Sequence, residues 1–243
     1  MKRRALIIGN PGEKGKEGYC AGVLKDVENY QEFLMSPVGG SWEKSEIAVR
    51  LLPSRVEVLA ERYLLPSDGY GLIIFSGHGE LGRSGSTVLE LSKGEEIDSA
   101  ELRKGAARQT LILDCCRKYS RALLEESVRM MLAKLAGAGP DPKRCRALYN
   151  QALEQAPESQ IVLYSCGIDE YSYDDSEKGG HYSYALLQAV SRWVAARGTS
   201  KMFSVAAAHE AAKPATIKES GGQQHPQEIK LRSGPYFPFA VFA

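Results

Sequence analysis

Four runs of apolar residues, each ending in small or polar residues, are spaced along the chain. They are RALIIGN (4–10), YGLIIFSGHG (70–79), TLILDCC (110–116) and SQIVLYSCG (159–167). Continuous apolar runs of this length predict strands that are buried on both faces, as in a parallel sheet. Two more mixed runs, IAVRLLP (47–53) and STVLELS (86–92), predict two further strands.

Helical patterns lie between these strands. Residues 22–34 (GVLKDVENYQEFL) repeat apolar side chains every three or four positions, and residues 55–65 and 183–198 also predict helices. A short helix is expected to begin at Asp98 or Ser99 as N-cap and to end at Gly105. Strands that alternate with helices predict an α/β fold, a three-layer αβα sandwich with a mainly parallel central sheet.

Residues 118–158 interrupt this alternation. They are rich in lysine, arginine and glutamate, and GAGPDP (137–142) breaks their helical pattern. A polar segment between two buried strands is typical of surface decoration. We therefore predict a single domain over residues 1–243, in which residues 118–158 form a helical insertion or linker outside the sheet.

Composition narrows the classes of function. The 243 residues carry a net charge of +1, which indicates no nucleic-acid partner. The apolar runs are too short to span a membrane, and the N-terminus lacks the apolar core of a signal peptide. Five irregularly spaced cysteines without a CxxC pair make a zinc site improbable and favour a reducing cytoplasm.

Reactive side chains follow two of the buried strands. One strand runs into Ser76, Gly77 and His78, and another into Asp114, Cys115 and Cys116. Ligands of open parallel sheets bind at the carboxyl ends of the strands, so neighbouring strands would bring an imidazole and a thiol together there. This pair is the minimum for nucleophilic thiol catalysis.

Adjacent residues of a strand point to opposite faces, so only one of the two cysteines can meet His78. The other histidines, His181, His209 and His225, lack this context and are expected in loops or at the surface. The remaining cysteines are expected to be structural: Cys20, Cys145 and Cys166.

The segments FSGHGE and LDCCRK resemble the two signature segments of the caspase and metacaspase fold. Four further stretches are similar to metacaspase segments in the same order: GVLKDVENYQEFL (22–34), SCGIDEYSYD (165–174), GGHYSYALLQAV (179–190) and QQHPQE (223–228). The resemblance covers nearly the whole chain except residues 118–158. It implies a cysteine endopeptidase of metacaspase type.

The resemblance also implies which residues act. The third position of the Asp-x-Cys motif places the nucleophile at Cys116, with His78 as its proton acceptor and donor. The backbone N–H groups of Gly79 and Cys116 would hold the oxyanion. Arg117 follows the nucleophile, and its guanidinium is a candidate for lowering the pKa of the thiol.

Substrate specificity is predicted by analogy with the same motifs. Metacaspases hold arginine or lysine with acidic groups, and the matching positions here are Asp26, Ser76 and Asp114. Asp169 is a further candidate from the opposite loop. Two carboxylates suit a guanidinium, so the predicted substrates are proteins or peptides cleaved after Arg, then Lys.

Several expectations concern regulation. The acid-rich loop of calcium-dependent metacaspases is absent, so we predict no metal or other cofactor and no calcium requirement. Two roles remain open for residues 118–158: self-processing near Lys143, Arg144 and Arg146, or docking of a regulatory protein. The resemblance suggests that the protein is a monomer. Alternatives to a peptidase of this type are a non-catalytic caspase-like module or a separase-, gingipain- or CHAT-like enzyme.

Overall fold

The computed structural model describes residues 1–83, 85–117, 139–231 and 237–243. The strands are β1 (Arg3–Asn10), β2 (Ile47–Leu51), β3 (Tyr70–Gly77), β4 (Gly79–Leu81), β5 (Thr87–Ser92), β6 (Glu95–Asp98), β7 (Arg108–Asp114), β8 (Ser159–Tyr164), β9 (Asp174–Asp175), β10 (Gly179–Gly180), β11 (Met202–Ser204), β12 (Gln227–Lys230) and β13 (Pro238–Val241). The α-helices are α1 (Gly22–Met35), α2 (Arg55–Tyr63), α3 (Ser99–Leu102), α4 (Pro142–Gln155), α5 (His181–Ala196) and α6 (Val205–Glu219). Among the described residues, no helix is both long and apolar enough to cross a membrane.

A six-stranded sheet forms the centre of the protein, with the strand order β12-β8-β7-β3-β1-β2. The strands from β8 to β2 are parallel to their neighbours, and β12 pairs with β8 in the antiparallel sense. The predicted mainly parallel α/β sandwich is therefore confirmed. The apolar runs form these central strands because helices or a second sheet cover both of their faces.

Side chains that alternate along the strands feed two separate cores. On β1, Ala5 and Ile7 belong to one core, and Leu6 and Ile8 belong to the other. Helices α1, α4, α5 and α6 pack on the first side, which we call the α1 face. Helices α2 and α3 and the small sheet β4–β6 cover the second side, the α2 face. The sandwich therefore has three layers.

Helix α4 departs from the expectation for residues 118–158. Its side chains Cys145, Tyr149 and Leu153 are fully buried in the core of the α1 face. These positions follow each other at intervals of four residues, so they form one stripe along the helix. The second half of the predicted insertion is therefore part of the helical layer on the α1 face, whereas residues 118–138 lie outside the described residues.

Candidate active site

Strands β3 and β7 are direct neighbours, and Ser76 is paired with Asp114 at the ends of the two strands. His78 and Cys116 each lie two residues beyond this pair. The register therefore places both residues just beyond the same edge of the sheet. The sequence prediction required β3 and β7 to be neighbouring strands.

The two adjacent cysteines point to opposite sides of the sheet. Cys115 is buried in the core of the α2 face, whereas Cys116 is only partly buried. The backbone N–H of Ser172 donates a hydrogen bond to the Cys116 sulfur at 3.3 Å. Cys116 is thus the thiol that a substrate can reach, and it lies on the side that the resemblance implied.

The glycine-rich loop that follows β1 lies against the imidazole of His78. A Cβ atom on Gly12, whose φ is +77°, would lie 3.3 Å from the His78 Nε2 atom, so a side chain there would press on the ring. The backbone carbonyl of His78 accepts a hydrogen bond from the N–H of Glu90 at 3.0 Å, which fixes the residue from the opposite strand. The loop therefore packs against the imidazole, and the close approach depends on Gly12.

Cys20 belongs to the same loop and was expected to be structural. Its sulfur lies 3.9 Å from the His78 Nε2 atom. Cys20 is therefore a thiol beside the imidazole, which sequence reasoning missed. Experiments that assign the nucleophile have to include it.

Burial dominates the electrostatics of the Cys116 thiol and raises its pKa above the ordinary cysteine value. The Ser172 N–H acts in the opposite direction, and the carboxylates of Asp114 and Asp174 raise the pKa further. The sequence made the Arg117 guanidinium a candidate for lowering this pKa. This guanidinium lies over the Tyr164 ring at 4.0 Å and donates to Gln227 at 3.1 Å, where it is engaged with other partners.

A raised thiol pKa has a measurable consequence in the free enzyme. In a Cys20→Ser background, the rate of Cys116 alkylation by iodoacetamide should rise by about tenfold per pH unit up to at least pH 8.5, because only the thiolate reacts. Asp174→Asn removes a negative charge, lowers the pKa and should speed alkylation at pH 7.5 several-fold. Peptide mass spectrometry measures both rates. A plateau below pH 7 would instead reveal a preformed thiolate–imidazolium pair.

Two buried carboxylates lie on the same side of the sheet as Cys116. Asp26 of α1 accepts hydrogen bonds from the Ser76 hydroxyl at 2.6 Å and from the N–H of Gly180 at 2.9 Å. Asp114 accepts from the hydroxyl of Ser172 at 2.6 Å and from the hydroxyl of Ser183 at 2.7 Å. Burial, and then the charge of Asp114, raise the pKa of Asp26 well above its usual range.

The structure adds a third acid, Asp174, which sequence reasoning did not single out. Its carboxylate accepts a hydrogen bond from the N–H of Gly22 at 2.9 Å, and burial raises its pKa. Its charge interacts with those of Asp114 and His78 and with the Cys116 thiol. The three acids therefore form one cluster of carboxyl groups beside Cys116, which we call the acidic cluster.

Two of the other predicted site residues have different surroundings. Asp169 is exposed in the loop after β8 and adopts a φ of +62°, and its backbone N–H donates to the carbonyl of Arg117. No described contact joins its carboxylate to the acidic cluster. Gly79 begins β4, where a Cβ atom would lie 2.9 Å from the Cys115 sulfur, so this position has no room for a larger residue.

The loop that carries Asp174 and contacts Cys116 is held by Gln224, within the motif QQHPQE. Its buried side-chain amide donates to the carbonyl of Ser165 at 3.0 Å and to the hydroxyl of Ser172 at 3.1 Å. Its amide oxygen accepts from the N–H of Tyr173 at 3.3 Å. Gln224 therefore connects the turn between α6 and β12 to the wall of the site.

The strand order and the two reactive strand ends define a protein of the caspase fold. The caspase-domain model of peptidase family C14 matches residues 2–232, so the chain belongs to that family of cysteine peptidases, which act on proteins. A crystal structure of a protein from Geobacter sulfurreducens is similar, with a TM-score of 0.56 and 16% identity over 100% of both chains. Caspase-1 from Spodoptera frugiperda has a TM-score of 0.58 and 12% identity over 94% of this chain and 88% of that chain. No curated protein sequence matches this chain significantly.

Proposed function

We propose that the protein is an endopeptidase of metacaspase type that cleaves after arginine or lysine through a dyad of His78 and Cys116. The observation that carries the specificity is the acidic cluster beside the thiol. The dyad is supported by the register of β3 and β7 and by the partial exposure of Cys116 next to the Ser172 N–H.

The chemical steps follow from a thiol whose pKa is raised. Because the free thiol is largely protonated near neutral pH, His78 removes its proton as the sulfur attacks the peptide carbonyl. A C–S bond forms, and the carbonyl oxygen becomes an oxyanion. His78 then gives the proton to the amine nitrogen, and the C–N bond breaks. Water deprotonated by His78 attacks the thioester carbon, and the sulfur leaves and recovers its proton.

The oxyanion requires N–H donors that are fixed before the reaction. The proposed donors are the backbone N–H groups of Gly79, which begins β4, and of Cys116, which follows the end of β7. Removing one such donor typically lowers the rate about 100- to 1,000-fold. Rigid placement matters because an N–H group that must reorient during the reaction contributes little to stabilising the oxyanion.

The unmet charge of the acidic cluster supports a basic substrate side chain. Among the described residues, no lysine or arginine forms an ion pair with Asp26, Asp114 or Asp174. Buried carboxylates without a cation are costly, and the raised pKa of Asp26 and Asp174 reflects this cost. A substrate guanidinium would supply the missing positive charge.

The planar guanidinium fits this arrangement better than an ammonium group does. It offers five N–H donors and can contact two carboxylates at once, whereas lysine brings a compact point charge. Its arrival favours the ionised forms of the acids, so binding should be accompanied by proton release from the cluster. We therefore rank arginine above lysine, and aspartate, which would be repelled, below both.

A pair of fluorogenic peptides that differ only in the residue before the scissile bond tests this proposal. The arginine peptide should be cleaved with a kcat/KM at least about 1,000-fold above that of the aspartate peptide, because like charges in a desolvated site cost several kcal/mol. The activity should be the same in calcium and in EDTA. Preference for aspartate would refute the pocket, and activity that requires calcium would refute the predicted independence from the metal.

Self-processing after Arg144 or Arg146 is disfavoured by helix α4. Both residues lie in its first turns, and Arg146 forms two ion-pair contacts of 2.8 Å with Glu46. A peptidase binds extended backbone, so cleavage there would require the helix to unfold. Lys143, the third candidate, also lies in α4. The other basic residues of the predicted linker belong to residues 118–138, outside the described residues, and self-cleavage in that stretch stays a prediction.

A further inference from the structure

Three side chains away from the catalytic arrangement come together between α6 and β12. One ligand atom each from His209, Glu210 and Glu228 lies within 4.8 Å of the other two. His209 and Glu210 are consecutive residues of α6, and Glu228 belongs to the edge strand of the central sheet. The mechanism proposed above uses none of these side chains.

Two atoms of this group are buried without a partner among the described residues. The His209 side chain is fully buried, and its Nε2 atom has no hydrogen-bond partner. The Oε2 atom of Glu228 is likewise buried and unpartnered. An unsatisfied imidazole nitrogen and an unsatisfied carboxylate oxygen are each costly, since both have lost water. Together they indicate a group that is shared between them.

The second ring nitrogen of His209 is already oriented. Its Nδ1 atom lies 2.7 Å from the hydroxyl of Tyr182, which fixes the plane of the ring. If Nδ1 carries the proton, it donates to the tyrosine oxygen and leaves a lone pair on Nε2. A metal-binding histidine usually has its other nitrogen held by such an outer hydrogen bond.

The two glutamates also keep oxygen atoms for a cation. Lys213 pairs with Oε1 of Glu210 at 2.8 Å, and Lys230 pairs with Oε1 of Glu228, so each ion pair uses one carboxylate oxygen. The group offers one nitrogen and two carboxylate ligands.

We infer that His209, Glu210 and Glu228 form a binding site for a divalent transition metal, with Zn²⁺ as the best match. An imidazole with two carboxylates suits zinc or cobalt better than calcium or magnesium, which prefer oxygen ligands alone. Three protein ligands leave a fourth position for water, and Glu210, with its side chain 56% exposed, places that position towards solvent.

A metal ion at this position would join α6 to β12. The turn between these elements carries Gln224, whose amide holds the loop that contacts Cys116. The ion would therefore stabilise the edge strand of the sheet and the turn that supports the wall of the active site. Any effect on catalysis would be indirect, so metal binding has to be measured without using activity.

The test uses Cys116→Ala/Cys20→Ser protein, which removes the two thiols beside His78 that could capture zinc. Equilibrium dialysis against Zn²⁺ followed by elemental mass spectrometry should give one bound equivalent, and Zn²⁺ should raise the melting temperature. Glu228→Gln and Glu210→Gln should each weaken binding at least about tenfold. His209→Gln should abolish it.

Glu219→Gln is the matched control, because Glu219 is an exposed glutamate of α6 outside the group, paired with Lys178. It should bind zinc with the parent affinity. The two exchanges Glu210→Gln and Glu228→Gln keep the test decisive if His209→Gln fails to fold. The inference is overturned if the parent binds no zinc, or if Glu228→Gln and Glu210→Gln bind it as tightly as the parent does. A zinc site here does not depend on the peptidase proposal, since neither outcome is read from cleavage.

Discussion

Cys116→Ala should abolish cleavage of an arginine peptide while the fold is retained. The substitution removes the only atom that forms the covalent intermediate, so kcat/KM is expected to fall by at least about 10,000-fold. Cys116 is partly exposed and lies outside the two apolar cores, so the melting temperature should change little. Steady-state kinetics and thermal unfolding of the same preparation measure both effects.

Two matched variants separate the candidate thiols. Cys20→Ser keeps a small polar group at 3.9 Å from the imidazole and should retain most of the activity. Cys115→Ala removes a buried sulfur from the α2 face, so it should cost stability more than catalysis. If Cys20→Ser is inactive and Cys116→Ala is active, the sulfur in the glycine-rich loop is the nucleophile and the proposed dyad is wrong.

Asp114→Asn should produce the second large effect, and it should depend on the substrate. The exchange preserves the size of the side chain but removes a buried charge from the acidic cluster. Loss of one partner of a desolvated charge pair costs about 2–5 kcal/mol, which lowers kcat/KM for the arginine peptide by roughly 30- to 5,000-fold. Asp174→Asn should act in the same direction, because its carboxylate belongs to the same cluster.

Asp169→Asn is the control for this prediction. Asp169 is exposed and joins no described contact of the cluster, so its exchange should change kcat/KM by less than about twofold. Asp114 also accepts from the N–H and hydroxyl of Ser183 at the start of α5, so the melting temperature must be measured beside the kinetics. Equal losses for arginine and alanine peptides would show that Asp114 only supports the fold.

The central sheet could be predicted from the sequence because its strands are short apolar runs bounded by polar residues. The pairing of Ser76 with Asp114 also required β3 and β7 to be neighbours, which the sequence left open and the structure shows. These features depend on local periodicity and on the topology of parallel sheets, which sequence patterns report well. Asp26 is different, because only the resemblance of residues 22–34 to a metacaspase segment indicates it.

Helices α4 and α6 could not be predicted in the same way. The buried stripe of α4 consists of only three side chains within a helix rich in charged and polar residues, so composition suggested a surface segment. Helix α6 contains Pro214, which weakens its helical signal, and many alanines, which weaken its amphipathic pattern. Tertiary packing determines how α4 and α6 are placed, and local periodicity in the sequence does not report that packing.

The missed site residues belong to irregular segments. Asp174 follows the loop EYSY, and Cys20 follows the glycine-rich loop, so neither position has a period that fixes its direction. The conformations of these loops depend on distant partners, such as the Gln224 amide and the Gly22 N–H. Asp169 seemed equally suitable by charge, but its backbone turns its side chain to the surface.

The most direct test of the account is the position and selectivity of a covalent label. Arginyl and aspartyl acyloxymethyl ketones are added separately to the wild-type protein, and the modified peptide is identified by mass spectrometry. The account predicts a thioether on Cys116, formed with the arginyl reagent, with carboxylate as the leaving group and a much slower reaction in His78→Ala. A label on Cys20 or Cys115, or faster reaction with the aspartyl reagent, would contradict it.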